Sequence, residues 1–328
     1  MDRSDWLDLR RTGVGGSDIA ALVWPHLPSA TVLGERPPFK SRMQVYLDKT
    51  GQLDEEAPSE YLRDGSDLEP HVAARLREWA HEHEPTLSFD DEPPQTKLVE
   101  RERKGRYLPM IVSLDRFGRL GEEPVGIELK TTNPHSFEAW EYGVPLSYRC
   151  QVQWYMEGLS LPRFYVACWS YGRPLSVHVV EHDAAFCNQL LDAAVDFWHD
   201  HILADSPPPY DGSKSDTLRL AELYPQATNT EVVALDSDKA VELVDDYRTC
   251  SEQVEFWGEQ LEGVKNRLRA LLGDAAYGRV GEYLVSYSNV SQRRVDTDLL
   301  KTRYPDVYKA TLREKTYRRW GGIRRVAV

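Results

Sequence analysis

Asp115 and Glu128 stand thirteen positions apart, and Lys130 follows Glu128 at a spacing of two. Two carboxylates and an ammonium gathered at one end of a sheet can hold a divalent cation and orient an attacking water. Those are the requirements of metal-assisted phosphodiester hydrolysis. Val125, Ile127 and Leu129 alternate with Gly126, Glu128 and Lys130. A period of two puts the aliphatics on one face of a strand and Glu128 with Lys130 on the other. Upstream, Met110, Val112 and Leu114 alternate with Ile111, Ser113 and Asp115, which predicts a strand running up to Asp115. Residues 118–124 have the composition of a hairpin connection between the two strands. Taken alone, the same pattern also describes an edge strand with solvent-facing charges.

The segments around this pair must position it. Trp6–Arg11 reads as a helix that enters the loop Thr12-Gly13-Val14-Gly15-Gly16-Ser17-Asp18. The glycines permit a tight turn, and Ser17 or Asp18 can cap the helix that follows. Backbone N–H groups and a hydroxyl at a helix N-terminus suit an anion, and Arg10 could add a guanidinium fork. The alternative there is a capped helix with a surface arginine. In Gly65-Ser66-Asp67-Leu68-Glu69-Pro70, Leu68 begins a helical stripe with Val72, Leu76 and Trp79, and Glu69 lies just off it. Glu69 is either a surface carboxylate or a third acid facing the strands, able to serve a second metal ion. A helix around 148–156 puts Tyr148, Gln151 and Tyr155 on one face, from which Gln151 could reach the attacking water or Lys130. The strand Arg163–Trp169 comes next.

In order along the chain these motifs are W-x3-R, GGSD, GSxLEP, SxD, IELKT and YxxQVQ. Together, over roughly residues 4 to 205, they resemble the YqaJ-type viral recombinase family, relatives of phage lambda exonuclease within the PD-(D/E)xK nuclease superfamily. The resemblance implies an α/β fold with a restriction-endonuclease-like core, a central mixed sheet flanked by helices. It implies a processive, Mg²⁺-dependent 5′→3′ exonuclease, with Mn²⁺ as an alternative ion. Its substrate would be linear double-stranded DNA, and it would generate 3′ single-stranded overhangs beside a single-strand annealing protein. Metal ligands then map to Asp115, Glu128, the Leu129 carbonyl and Glu69. The catalytic lysine maps to Lys130, the 5′-phosphate contacts to Arg10 and Ser17, and the supporting pair to Tyr148 and Gln151. A ring-shaped homo-oligomer and a phage or prophage setting in a bacterial host are further implications by analogy. Two positions depart from the family pattern. Leu114 stands where proline is usual, and Arg116 stands where glycine is frequent. Arg116 reads as a phosphate contact or as a residue that alters the DNA path. A sequence- or structure-specific endonuclease on the same fold and a non-catalytic recombination scaffold are the rival readings.

Composition sets bounds. The 328 residues suit one large domain or two smaller ones, with 41% hydrophobic residues for a core. No run of eighteen apolar residues exists, so no membrane span is expected. The charged N-terminus lacks a signal-peptide core. Cys150, Cys168, Cys187 and Cys250 are scattered without C-x-x-C spacing and read as buried free thiols in a reducing cytoplasm, against an iron–sulfur cluster. The net charge of −13 opposes DNA binding as a sum. Its distribution does not, because residues 293–328 hold eleven basic against four acidic side chains. The basic run 101–106 reads as a solvated hairpin tip or a DNA-backbone contact.

Residues 1–205 therefore read as the exonuclease domain, and the proline-rich stretch 206–217 as a linker. Residues 218–328 form a C-terminal extension, helical with a small β element. From Ala240 to Leu271 apolar residues recur by three and four, a heptad seam expected to pack against its own domain, a second subunit or a partner. Gly258 and Gly263 weaken that helix by roughly 1 kcal/mol each against alanine. The tail interleaves Tyr304, Tyr308, Tyr317 and Trp320 with its cations. That combination suits phosphate contacts with base stacking, or equally a solvated tail. No P-loop is present.

Overall fold

The computed structural model describes residues 3–32, 34–53, 60–235, 237–314 and 316–323. The chain forms two compact units, Met1–Glu222 and Leu223–Val328. The first opens with α1 (Arg3–Arg11), β1 (Val14–Gly15), α2 (Gly16–Val23), α3 (Ser29–Val32), α4 (Arg42–Lys49) and α5 (Glu60–His83). Then follow β2 (Leu87–Phe89), β3 (Lys97–Arg103), β4 (Arg106–Val112), β5 (Arg116–Leu120), β6 (Glu123–Thr131), α6 (Pro134–Phe137) and α7 (Leu146–Leu159). The unit closes with β7 (Arg163–Trp169), β8 (Ser176–Glu181), α8 (Ala184–Phe197) and α9 (Lys214–Leu223).

A five-stranded mixed sheet in the order β2-β5-β6-β7-β8 is the frame of the site. Only the central pair, β6 with β7, is parallel, and Glu128 registers with Val166 and Lys130 with Cys168. The expected alternation along β6 holds. Val125, Ile127 and Leu129 pack with Val72, Ala73, Leu76 and Ala80 of α5 on one face. Glu128 and Lys130 face the opposite side, where α7 lies. A second sheet, β1-β4-β3, joins α2, α7 and α8 around a larger core that includes Ile19, Leu22, Met110, Trp154 and Phe197. The mixed sheet thus lies between helices on both faces, as the motifs implied.

Several local expectations are corrected. The strand before Asp115 ends at Val112, and the link 118–124 is in fact β5, a two-residue turn and the start of β6. Asp115 sits in the bend before β5. The β5–β6 ladder begins at Arg116 opposite Ile127. Beyond it, the Asp115 carboxylate takes the Leu129 N–H at 2.7 Å in place of a backbone carbonyl. Leu68 is exposed, so the buried stripe of α5 begins at Val72. The expected linker belongs to the first unit. Asp216 is buried and accepts from Ser41 Oγ at 2.5 Å and from the Asp211 N–H at 2.8 Å, which ties α9 to the start of α4.

The second unit contains α10 (Asp238–Leu272), the hairpin β9 (Tyr277–Val280) and β10 (Tyr283–Ser286), α11 (Thr297–Arg303) and α12 (Pro305–Thr311). Its long helix runs unbroken through Gly258 and Gly263, and none of its described residues is buried. Cys250 is therefore exposed, unlike the buried Cys150, Cys168 and Cys187. Tyr304, Tyr317 and Trp320 of the tail are exposed as well. Lys315, Arg324 and Arg325, part of the basic tail, lie outside the described residues. Among the described residues no helix is long and apolar enough to cross a membrane.

Candidate active site

β6 and α7 supply the centre of the site. Lys130 Nζ donates to Glu128 Oε1 at 2.5 Å, and Gln151 Nε2 donates to the same oxygen at 2.6 Å. Gln151 also donates to the Tyr155 hydroxyl at 3.2 Å. The Lys130 ammonium sits 5.2 Å from the centre of the Tyr148 ring, and Tyr148 in turn stacks on Trp140. Asp115 joins through its bond to the Leu129 N–H. Tyr148, Gln151 and Tyr155 share the face expected of them. A cavity of about 490 Å³ opens over these groups, and its lining includes Ser17, Phe39, Glu69, Asp115, Lys130 and Gln151.

Burial governs the charges here. Glu128 is 1% exposed. Desolvation, with Asp115 adding to it, pushes its carboxyl up to about 8 despite Lys130. Asp115 is also raised by burial, against the pull of Lys130. For Lys130, burial favours the neutral amine, but Glu128 and Asp115 outweigh it and hold the pKa above the ordinary lysine value. The two carboxylates thus favour the ammonium form of Lys130.

Glu69 and Arg116 form a pair. Arg116 Nη1 lies 2.6 Å from Glu69 Oε1 and 2.5 Å from the carbonyl oxygen of Asp115. The arginine side chain is 5% exposed. Arg116 was expected to contact phosphate, but it is buried and committed to protein oxygens. It ties Glu69 on α5 to the bend that carries Asp115. Position 116 follows the carboxylate at the first residue of β5, so the guanidinium turns inward.

The Gly15–Asp18 loop is built on a buried carboxylate. Gly15 rather than Ser17 or Asp18 is the N-cap of α2, and its N–H donates to Asp18 Oδ2 at 3.1 Å. Asp18 is fully buried and pairs with Lys40 and Lys49, each at 2.7 Å. Burial alone would raise Asp18, but Lys40, Lys49 and Arg10 together hold it well below the usual carboxylate range. Lys49 also donates to the Arg10 carbonyl at 2.7 Å. Arg10 Nη2 donates to Ser17 Oγ at 3.0 Å, so the two expected phosphate contacts meet, and Arg10 also covers the Trp6 ring. Gly16 has no room for a side chain, since a Cβ there would come within 2.4 Å of the Tyr155 ring. Lys40, Lys49 and Phe39 had no signal in the sequence. Their motif-free segment gains meaning only when α4 folds back under the loop.

The basic run 101–106 is engaged by acidic and carbonyl partners within the first unit. Arg103 pairs with Asp192, and Lys104 and Arg106 pair with Asp196 on α8. Arg101 donates to the carbonyls of Glu157 and Gly158.

The donor set suits a hard divalent cation. Asp115, Glu128 and the backbone at Leu129 offer oxygen ligands, the type that Mg²⁺ and Mn²⁺ prefer. Glu128 Oε2 is buried with no hydrogen-bond partner among the described residues, a costly state that a cation would relieve. A different cluster, Glu157, His182 and Cys187, has ligand atoms within 4.8 Å of one another. Its groups are already engaged, His182 with Glu157 and the Cys187 thiol with Gln153.

A central mixed sheet with flanking helices, and two carboxylates with a lysine at β6, define a PD-(D/E)xK type of α/β core. The model of the YqaJ-like viral recombinase domain matches residues 5–157. The uncharacterized protein YqaJ of Bacillus subtilis (strain 168) is 30% identical over 326 residues, which span 98% of this chain and 94% of that protein. The chain belongs to the YqaJ-like viral recombinase family. Solved structures similar to it include an alkaline exonuclease, LHK-Exo, from Laribacter hongkongensis. That match is 18% identical, covers 67% of this chain and 100% of the other, and has a TM-score of 0.44. A phage-related exonuclease from Haemophilus somnus 129PT matches at 11% identity over 59% of this chain and 96% of the other, with a TM-score of 0.38.

Proposed function

We propose that this chain is a metal-dependent exonuclease acting 5′→3′ on linear double-stranded DNA, leaving 3′ single strands for an annealing protein. The observation that carries this reading is that Asp115, Lys130 and Gln151 line one cavity, with Glu128 held beneath it by Lys130 and Gln151 and its Oε2 buried without a partner among the described residues. Asp115 and Glu128, with the Leu129 carbonyl and Glu69, are the residues that would hold Mg²⁺ or Mn²⁺. Such an ion, when bound, neutralises charge that develops on a phosphate during hydrolysis. Lys130, kept as an ammonium by its carboxylates, donates a hydrogen bond to a phosphate oxygen or to the attacking water. Gln151 fixes the rotamer of Glu128, and the Tyr148 ring confines Lys130. Arg10 and Ser17 bind the 5′-phosphate, which sets the direction of digestion.

The test is a linear duplex labelled at either end, incubated with and without Mg²⁺. Release of label from 5′ ends first, only with the ion, is expected. Cleavage of a closed circle would assign an endonuclease instead, and no release of nucleotides would leave a binding scaffold.

A further inference from the structure

The 35-residue helix α10 presents a seam that its own unit leaves open. Placing Ala240, Tyr247, Val254, Leu261 and Leu268 at one heptad position puts Leu243, Cys250, Trp257, Val264 and Leu271 at the other. Trp257 is 66% exposed, Val254 73% and Leu243 59%. Trp320 approaches Tyr247 with ring centres 5.8 Å apart, so the tail touches one level of the seam. A helix in water draws most of its stability from a packed apolar face, and this one contains two glycines besides.

The charges on α10 say what fits that face. Residues 238–246 carry Asp238, Glu242, Asp245 and Asp246 against Lys239 alone. Residues 263–272 carry Lys265, Arg267 and Arg269 and no acid. A parallel pair of such helices would set acid on acid and base on base. An antiparallel pair sets each acidic end on a basic one. This polarity also suits the helix dipole, but the dipole acts only over the terminal turns and does not account for the exposed seam.

We propose that α10 pairs antiparallel with α10 of a second copy of this chain, about a two-fold axis between residues 255 and 256. Every seam layer then joins a residue of one heptad position to the other. Leu243 meets Leu268 of the second copy, Tyr247 meets Val264, Cys250 meets Leu261, and Val254 meets Trp257. Flanking the seam, Asp246 comes opposite Arg267. Neither makes a side-chain ion pair among the described residues. The contact is isologous, so it closes at two copies.

The full-length chain tests this by light scattering after size exclusion. The expected mass corresponds to an even number of 37.6 kDa chains, and Leu261→Asp is expected to halve it. Leu261 is exposed, so that substitution leaves the folded unit intact. A monomeric wild type, or a Leu261→Asp variant with unchanged mass, would overturn the pairing. Arg267→Glu should weaken association, and adding Asp246→Arg should restore it. Failure of that rescue counts against the orientation. Copper-phenanthroline oxidation reads the orientation directly, because Cys250 is the one exposed cysteine among the described residues. Leu261→Cys should cross-link efficiently and wild type poorly, with Cys250→Ser removing the Leu261→Cys product. An equally efficient wild-type cross-link through Cys250 would mean parallel helices and would overturn the proposal.

Discussion

Lys130 donates to Glu128 across 2.5 Å, and the partner oxygen Oε2 of that carboxylate stays buried and unpaired among the described residues. The lysine therefore neutralises half of a ligand and leaves the other half available. Lys130→Met keeps an unbranched side chain, one atom shorter, and removes its charge. It should retain DNA binding while hydrolysis falls by about 10²–10³-fold, the usual range for a lost preorganised donor. Gel-shift affinity and single-turnover cleavage, measured on the same preparation, separate the two effects.

Carboxylates proposed to hold a cation make stability respond to one. Adding Mg²⁺ or Mn²⁺ at a hundredfold excess over Kd should stabilise the wild type by about 2.7 kcal/mol at a single site. Asp115→Asn and Glu128→Gln should lose most of that gain. Thermal melts with the ion and with EDTA give the comparison, and equal gains in all three proteins would remove the ion from these carboxylates.

Arg10 and Ser17 touch each other at the mouth of the Gly15–Asp18 loop. Arg10→Ala should reduce the preference for a 5′-phosphorylated end over a 5′-hydroxyl end by about 10–100-fold. That corresponds to one charge-assisted hydrogen bond of about 1.5–3 kcal/mol. The ratio of initial rates on the two substrates measures it. A uniform loss on both ends would count against the assignment.

Asp18 gives a pH dependence with a definite sign. Its pKa in the folded chain lies below the ordinary value because Lys40, Lys49 and Arg10 outweigh its burial. Its stabilising contribution is thus complete above about pH 4 and drains away as the pH falls below that value toward the folded-state pKa. Asp18→Asn should cost about 3–5 kcal/mol near neutrality, since it leaves the buried Lys49 uncompensated. Urea midpoints of the two proteins should converge on acidification below about pH 4, and a gap that stays constant there would contradict the assignment.

Arg116 should behave as a strut. Arg116→Ala is expected to destabilise the first unit by about 3 kcal/mol through the uncompensated Glu69. The salt dependence of DNA binding should not change. A phosphate contact would instead lower the slope of log K against log salt by about 1. Urea titration and binding at several salt concentrations distinguish the two.

Much of the centre was legible before any coordinates. Alternation along 125–130 placed Glu128 and Lys130 on one face, and three- and four-residue spacing brought Tyr148, Gln151 and Tyr155 together. Those signals are local. What escaped depends on distant segments meeting. Asp115 ends up in a bend because its side chain outcompetes a backbone carbonyl for the Leu129 N–H. Arg116 looked like a surface cation because Glu69 lies 47 residues away. The Asp18 pairs join residues 22 and 31 positions apart with no repeating pattern between them. The basic run 101–106 was ambiguous because its acidic partners lie on α8, some 90 residues downstream.

Gly16 presses its bare backbone on the Tyr155 ring, and the Tyr155 hydroxyl accepts from the amide that also grips Glu128. The loop proposed to hold the 5′-phosphate and the carboxylate beneath it thus share a wall one aromatic ring thick. A nudge of the loop passes to residue 128 through two side chains, with no hinge or domain rotation in between. Under the proposed function, seating and cutting are mechanically adjacent events in this architecture, and a single methyl group added at position 16 would be felt by both.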